Sequence, residues 1–109
     1  MATIPETTTF GAHIAACRKA LTMSQKELAS KIMREEDGAP ISPQYLNDIE
    51  RDRRSPTSDH LIQQFAKVLN CNPDYLHYLA GRLPTEILGR NSSEAKVADA
   101  FAAFRKALK

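Results

Sequence analysis

The sequence predicts an all-α fold, and three observations predict it. No segment alternates apolar and polar residues with period two over a useful length, and β-branched residues are thinly spread. Apolar residues instead recur at helical spacing along most of the chain. Helix-starting signatures stand in front of those runs: Ser24-Gln25-Lys26-Glu27, Ser42-Pro43, Asn72-Pro73 and Asn91-Ser92-Ser93-Glu94. A length of 109 residues leaves room for one domain with a modest core and an appended helix. An apolar fraction of 42% with 26% charged residues fits a soluble globular chain and excludes wholesale disorder.

Residues 1–8 are rich in Thr, hold Pro5 and show no periodicity, so they read as a flexible arm. Phe10, Ile14, Cys17 and Leu21 then recur at helical spacing and predict a first helix over residues 9–21, with Thr22-Met23 as the turn. Ser24 and Glu27 form a capping box, each side chain meeting the other's backbone N–H, and Met23 and Leu28 stand at the two positions of a hydrophobic staple. The second helix accordingly spans about 24–34 and buries Leu28, Ala29 and Ile32. Residues 35–40 are charged, hold an Asp-Gly turn signal and end in Pro40, which makes a loop.

Ser42 caps the third helix, and Pro43 sits at its first position, where the missing N–H carries no penalty. Over residues 43–52, Leu46 and Ile49 face inward with Tyr45 beside them, while Gln44, Asn47, Asp48 and Arg51 lie on the other side. A basic, Pro-containing loop follows over 53–57. The fourth helix, about 58–69, buries Leu61, Ile62, Phe65, Ala66 and Leu69. The fifth opens at Asn72-Pro73, carries Leu76 and Leu79 and stops at Gly81. Residues 83–90 form a connector with one turn at 86–88. The last helix runs from Asn91-Ser92-Ser93-Glu94 towards Lys109. Residues 9–82 thus form the domain and 83–109 its tail.

Charge and motif content exclude several function classes. Fifteen Lys and Arg against 13 Asp and Glu give a net charge of only +2, which announces no polyanion partner. The local cluster Arg51, Arg53 and Arg54 is more telling, and Asp52 offsets it only in part. No apolar run approaches the roughly 20 residues that span a bilayer, so no membrane association is expected. No secretory signal is visible, and Cys17 and Cys71 read as reduced thiols in a cytoplasmic protein. Four scattered glycines assemble no phosphate-binding loop.

His13 and Cys17 are four apart on one helix face, but two ligands are too few for a metal, and nothing in the sequence brings Cys71 or His77 to them. Cys17 reads as a small core residue and His13 as a surface one. Asp74 and His77 share a face with no nucleophile beside them and read as solvated surface. No protease, kinase, P-loop or nucleophile-elbow motif is present. The expectation is a protein that is not an enzyme, with no catalytic residue, metal or cofactor.

The informative feature is the pair of capped helices. Gln44 and Asn47 carry amides of the kind that bond base edges bidentately, and they lie in the N-terminal half of their helix. Arg51, Arg53 and Arg54 follow at its end. Gln25 stands at the start of the preceding helix, where backbone N–H groups favour an anion.

Phe10-Gly11, Ile14, Arg18, Met23-Ser24-Gln25-Lys26-Glu27-Leu28-Ala29, Ile41-Ser42, Tyr45-Leu46, Ile49-Glu50-Arg51, Arg54 and Pro56 resemble the lambda-repressor-like helix-turn-helix family, which includes phage repressors and many antitoxins. Leu61, Ala66, Leu69 and Leu79-Ala80-Gly81 extend the similarity to about residues 9–82. The resemblance implies a five-helix DNA-binding domain. In it Gln25 and Ser42 touch phosphate. Gln44, Asn47, Asp48 and Tyr45 face bases, Arg51 lies near the backbone, and Arg53 or Arg54 reaches a phosphate or the minor groove. Arg18 and Glu50 form a structural ion pair tying the first helix to the third. The chain departs from the family pattern in four places: residues 33–40 replace a tight turn, Pro43 occupies a position that often reads a base, Asp52 stands where Gly is usual, and Asp48 adds negative charge to the face that should meet DNA.

Val97, Phe101, Phe104 and Leu108 form one apolar stripe on the tail helix, with Lys96, Asp99, Arg105 and Lys106 off it. The stripe either folds back on its own domain or pairs two copies; aromatic enrichment at interfaces favours a homodimer. The expected function is a cytoplasmic, sequence-specific DNA-binding transcriptional regulator, a repressor placing helix 43–52 in the major groove of an inverted-repeat operator in double-stranded DNA. The alternative is an antitoxin or other protein-interaction module that sequesters a toxin or regulatory protein, suggested by the acidic residues 35–37 and by Asp48.

Overall fold

The computed structural model describes residues 8–56 and 58–109. The expected arm at residues 1–8 lies, but for Thr8, outside the described residues. Seven helices follow in order: α1 (Phe10–Ala20), α2 (Gln25–Lys31), α3 (Pro43–Glu50), α4 (Asp59–Leu69), α5 (Pro73–Ala80), α6 (Thr85–Leu88) and α7 (Glu94–Ala107). The described residues form no strand; Met33 and Pro40 make an isolated antiparallel bridge.

Side-chain caps set the starts. Thr9 accepts from Ala12 N–H, Ser24 from Glu27, Ser42 from Tyr45, Ser58 from Leu61, Asn72 from Asp74 and Tyr75, and Ser93 from Lys96. The Ser24–Glu27 box is reciprocal, the Ser24 N–H donating to Glu27 Oε1 at 3.3 Å. Left-handed residues, Asn70 and Gly81, close α4 and α5.

Helix α1 packs against α3, α4 and α5, α2 against α3, and α4 against α5. Ile14, Leu28, Ile32, Leu46, Ile49, Ile62, Phe65 and Leu76 are fully buried between them, and Phe10 meets Phe65 edge-on at 6.1 Å. Helix α7 buries none of its residues. It approaches the domain where Phe104 lies 6.3 Å from Tyr78. The radius of gyration, 15.3 Å, exceeds the ~13 Å of a compact chain this long, as a protruding helix requires.

The second and third helices end earlier than the periodicity predicts. Ile32 is already extended, because the chain turns there into a hairpin: Arg34 N–H donates to Ala39 O at 2.7 Å and Ile41 N–H to Ile32 O at 2.9 Å. Gly38 supplies the positive φ, and Asp37 ties the turn to Ala39 N–H and Arg34. Those partners, the Ala39 N–H first, hold the Asp37 carboxyl below its ordinary range. Residues 33–40 are therefore an excursion whose ends meet, and Ile32 and Ile41 stay adjacent as a short turn would keep them.

Helix α3 stops at Glu50 because Asp52 adopts φ +59°, the left-handed region. Asp52 is held there by Thr9 Oγ1 at 2.5 Å and Gly11 N–H at 2.9 Å. Gly11 has no substitute at this crossing, since a Cβ on it would lie 2.2 Å from Ile49 O.

Two histidines expected on the surface are buried. His13 is packed against Tyr75 and Cys17, and burial holds its imidazole below the ordinary pKa. His77 is fully buried, with Nε2 3.0 Å from Asp59 Oδ1. Helical spacing places a residue on a face, but which faces α4 and α5 cover is settled by packing.

Candidate nucleic-acid interface

Helix α3 is fixed from behind and open in front. Leu46 and Ile49 sink into the core, and Glu50 is buried beside Arg18. Arg18 Nε donates to Glu50 Oε2 at 2.7 Å and Nη2 to Oε1 at 3.0 Å, while Nη1 donates to Met23 O at 2.8 Å. One guanidinium thus joins α1, the turn before α2 and the end of α3. Such a bidentate pair sets orientation as well as distance.

The outer face carries Gln44, Asn47, Asp48 and Arg51, with Tyr45 at its margin. Gln44 and Arg51 are exposed; Tyr45, Asn47 and Asp48 are half-buried. Ser42, at the start of α3, is exposed, and its oxygen accepts the Tyr45 N–H, which leaves its own hydroxyl proton for an outside acceptor. Arg53 and Arg54 extend the face past the helix end, with side chains 62% and 60% exposed. Amides on an exposed helix face can donate to and accept from base edges, and the guanidinium groups can meet phosphate.

These side chains are also engaged with one another. Gln44 Nε2 donates to Asp48 Oδ1 at 3.1 Å, and Arg53 and Arg54 each lie 3.9 Å from the Asp48 carboxylate. Arg54 stands over the Tyr45 ring, 5.5 Å from its centre. Gln25 donates to Asn47 Oδ1 at 3.2 Å and to Glu50 Oε1 at 2.9 Å, and Arg51 Nε donates to Asn47 Oδ1 at 3.3 Å. The Gln25 side chain therefore points to α3 as well as standing at the start of α2. The central position of Asp48 was missed by sequence reasoning, although the i, i+4 spacing of Gln44 and Asp48 signalled half of it.

The stripe of α7 meets the domain at Tyr78 of α5. Val97, Phe101, Phe104 and Leu108 remain 43%, 41%, 48% and 61% exposed, with Arg105 over the Phe101 ring. Among the described residues, no helix is long and apolar enough to cross a membrane.

A family model described as helix-turn-helix matches residues 14–76, more than half of the chain. No curated protein and no solved structure matches it.

Proposed function

The chain belongs to the lambda-repressor-like helix-turn-helix family of DNA-binding regulators, and we propose that it is a sequence-specific transcriptional repressor acting in the cytoplasm as a homodimer on an inverted-repeat operator. The observation that carries this reading is the outer face of α3: two amides, Gln44 and Asn47, followed by three arginines, on a helix held rigidly by Arg18 and Glu50. Helix α3 enters the major groove, Gln44 and Asn47 read bases with Tyr45 and Asp48 beside them, and Gln25, Ser42, Arg51, Arg53 and Arg54 meet the backbone. Asp48 partly neutralises Arg53 and Arg54 and occupies the Gln44 amide until a cognate duplex offers better partners, which holds down affinity for random sequence.

Selection of bound duplexes from a random-sequence pool tests the reading; recovery of an inverted repeat is the expected result. Gln44→Ala is then expected to weaken binding to the selected site by about 1–3 kcal/mol and to leave random duplex nearly unaffected. Equal losses on both would reduce Gln44 to a positioning residue. Arg53→Ala with Arg54→Ala is expected to weaken binding to any duplex and to flatten the salt dependence by about one unit per lost phosphate contact. An unchanged slope removes both arginines from the backbone interface.

A second reading, an interaction module sequestering a toxin or other partner protein, draws on the exposed stripe of α7 and the carboxylate of Asp48. It gains if the pool yields no enriched sequence and binding shows no steep salt dependence.

A further inference from the structure

We infer that His13, Cys17 and Cys71 form a binding site for one thiophilic d10 metal ion, Zn(II) or Cu(I). Their donor atoms all lie within 4.8 Å of one another. His13 and Cys17 are one turn apart on α1 and both are buried. Cys71 arrives from the turn between α4 and α5, just after left-handed Asn70 redirects the chain. Its Sγ lies 3.1 Å from Cys17 Sγ, which in turn is 3.5 Å from His13 Nε2. Two residues on one helix were too few for a site in the sequence; the fold supplies the third from 54 positions away.

The donors select the metal class. Two sulfurs and one imidazole suit a soft or borderline cation, whereas hard cations take oxygen. Zinc bonds of about 2.3 Å to sulfur and 2.0–2.1 Å to nitrogen place neighbouring donors roughly 3.5–3.8 Å apart. The His13–Cys17 separation already meets that spacing; the two sulfurs would move apart by some tenths of an ångström, and the His13 and Cys71 donors, within 4.8 Å of each other, would adjust to it. Neither cysteine is in a disulfide, and His13 turns Nε2, rather than the buried and unpartnered Nδ1, towards the two sulfurs. Cys71 is half-buried, so the cluster borders solvent on its side. Binding transfers two thiol protons to solvent as two metal–sulfur bonds form, and no electron moves. The bound ion would clip α1 to the α4–α5 junction, a role independent of which partner α3 meets.

The test uses the full chain, reduced by a phosphine and stripped of metal. It is titrated with Zn(II), and anaerobically with Cu(I), against a chromophoric chelator. One equivalent bound, about two protons released per ion and a raised melting temperature are the expected results for at least one of the ions. Preference between the two ions decides the identity. Cys71→Ser, at a half-buried position in a turn, is expected to weaken binding at least about tenfold, and His13→Gln likewise. If His13→Gln does not fold, Cys71→Ser and Cys71→Ala decide the matter together with the proton count. Failure of both ions to bind at one equivalent, or unchanged binding in the Cys71 variants, overturns the site. So does a reduced protein with no metal affinity that readily forms a Cys17–Cys71 disulfide, which would assign the pair to thiol oxidation.

Discussion

Arg18→Ala is expected to destabilise the DNA-free protein by about 3–5 kcal/mol, the range for stranding one partner of a buried ion pair. The side chains of Arg18 and Glu50 are only 10% and 5% exposed, so solvent cannot replace the lost guanidinium. Glu50 would keep only the amide of Gln25, and Met23 O would lose its donor. At about 4–8 °C per kcal/mol for a domain of this size, the melting temperature should fall by at least ~12 °C. The loss comes from an uncompensated buried charge rather than from the net worth of the pair. Arg18→Met combined with Glu50→Met should therefore be less damaging than Arg18→Ala alone. Thermal melts of the unsubstituted protein, Arg18→Ala, Arg18→Met, Glu50→Met and the double Met variant check this. Effects of the two positions that simply add would mean that the pair is not coupled. The DNA prediction follows from the same geometry: with α3 loosely oriented, affinity for the selected site should fall even at temperatures where the variant is folded.

The elements were legible in the sequence because their signals are local. Ser24 with Glu27, Ser42 with Pro43, and Asn72 with Pro73 each cap a helix through atoms within a few residues of one another. The interior followed from periodicity, down to Leu46, Ile49, Ile62 and Phe65. What periodicity missed depends on distant partners. Residues 33–40 look like an insertion that separates two helices, and only the hydrogen bond from Ile41 to Ile32 reveals that it closes on itself. His13 and His77 read as polar surface until Tyr75 and Asp59 are brought to them. Cys71 is pushed up to about 12 by burial and by Cys17, a neighbour that no spacing rule places beside it. At the interface, sequence supplied the residue types on the face of α3. It did not show that Asp48 gathers Gln44, Arg53 and Arg54, because the arginines reach back from beyond the helix end.

Phe101→Asp with Phe104→Asp is expected to yield a folded monomer that binds a half-site weakly and loses cooperative binding to the full inverted repeat. The domain should tolerate the change, since no residue of α7 is buried and the core is supplied by α1 to α5. The stripe of Val97, Phe101, Phe104 and Leu108 is apolar, exposed and joined at its Phe104 end to Tyr78, itself 57% exposed. Contiguous apolar surface of that kind marks an interaction site more often than bare solvent contact. A two-fold axis would cover it with the same residues from each side. The same axis has to set two copies of α3 about 34–36 Å apart, one duplex turn, for both to enter the major groove on one face. A helix of 14 residues is about 21 Å long, so the paired stripe falls towards the small end of stable interfaces. Dimerisation should therefore be concentration-dependent in free solution and strengthened on operator DNA, which holds the two copies together. Sedimentation of the unsubstituted protein over a range of concentrations, with and without an inverted-repeat duplex, measures both. A monomer at every concentration, bound one copy per duplex, would falsify pairing through α7 and leave the stripe for a different protein.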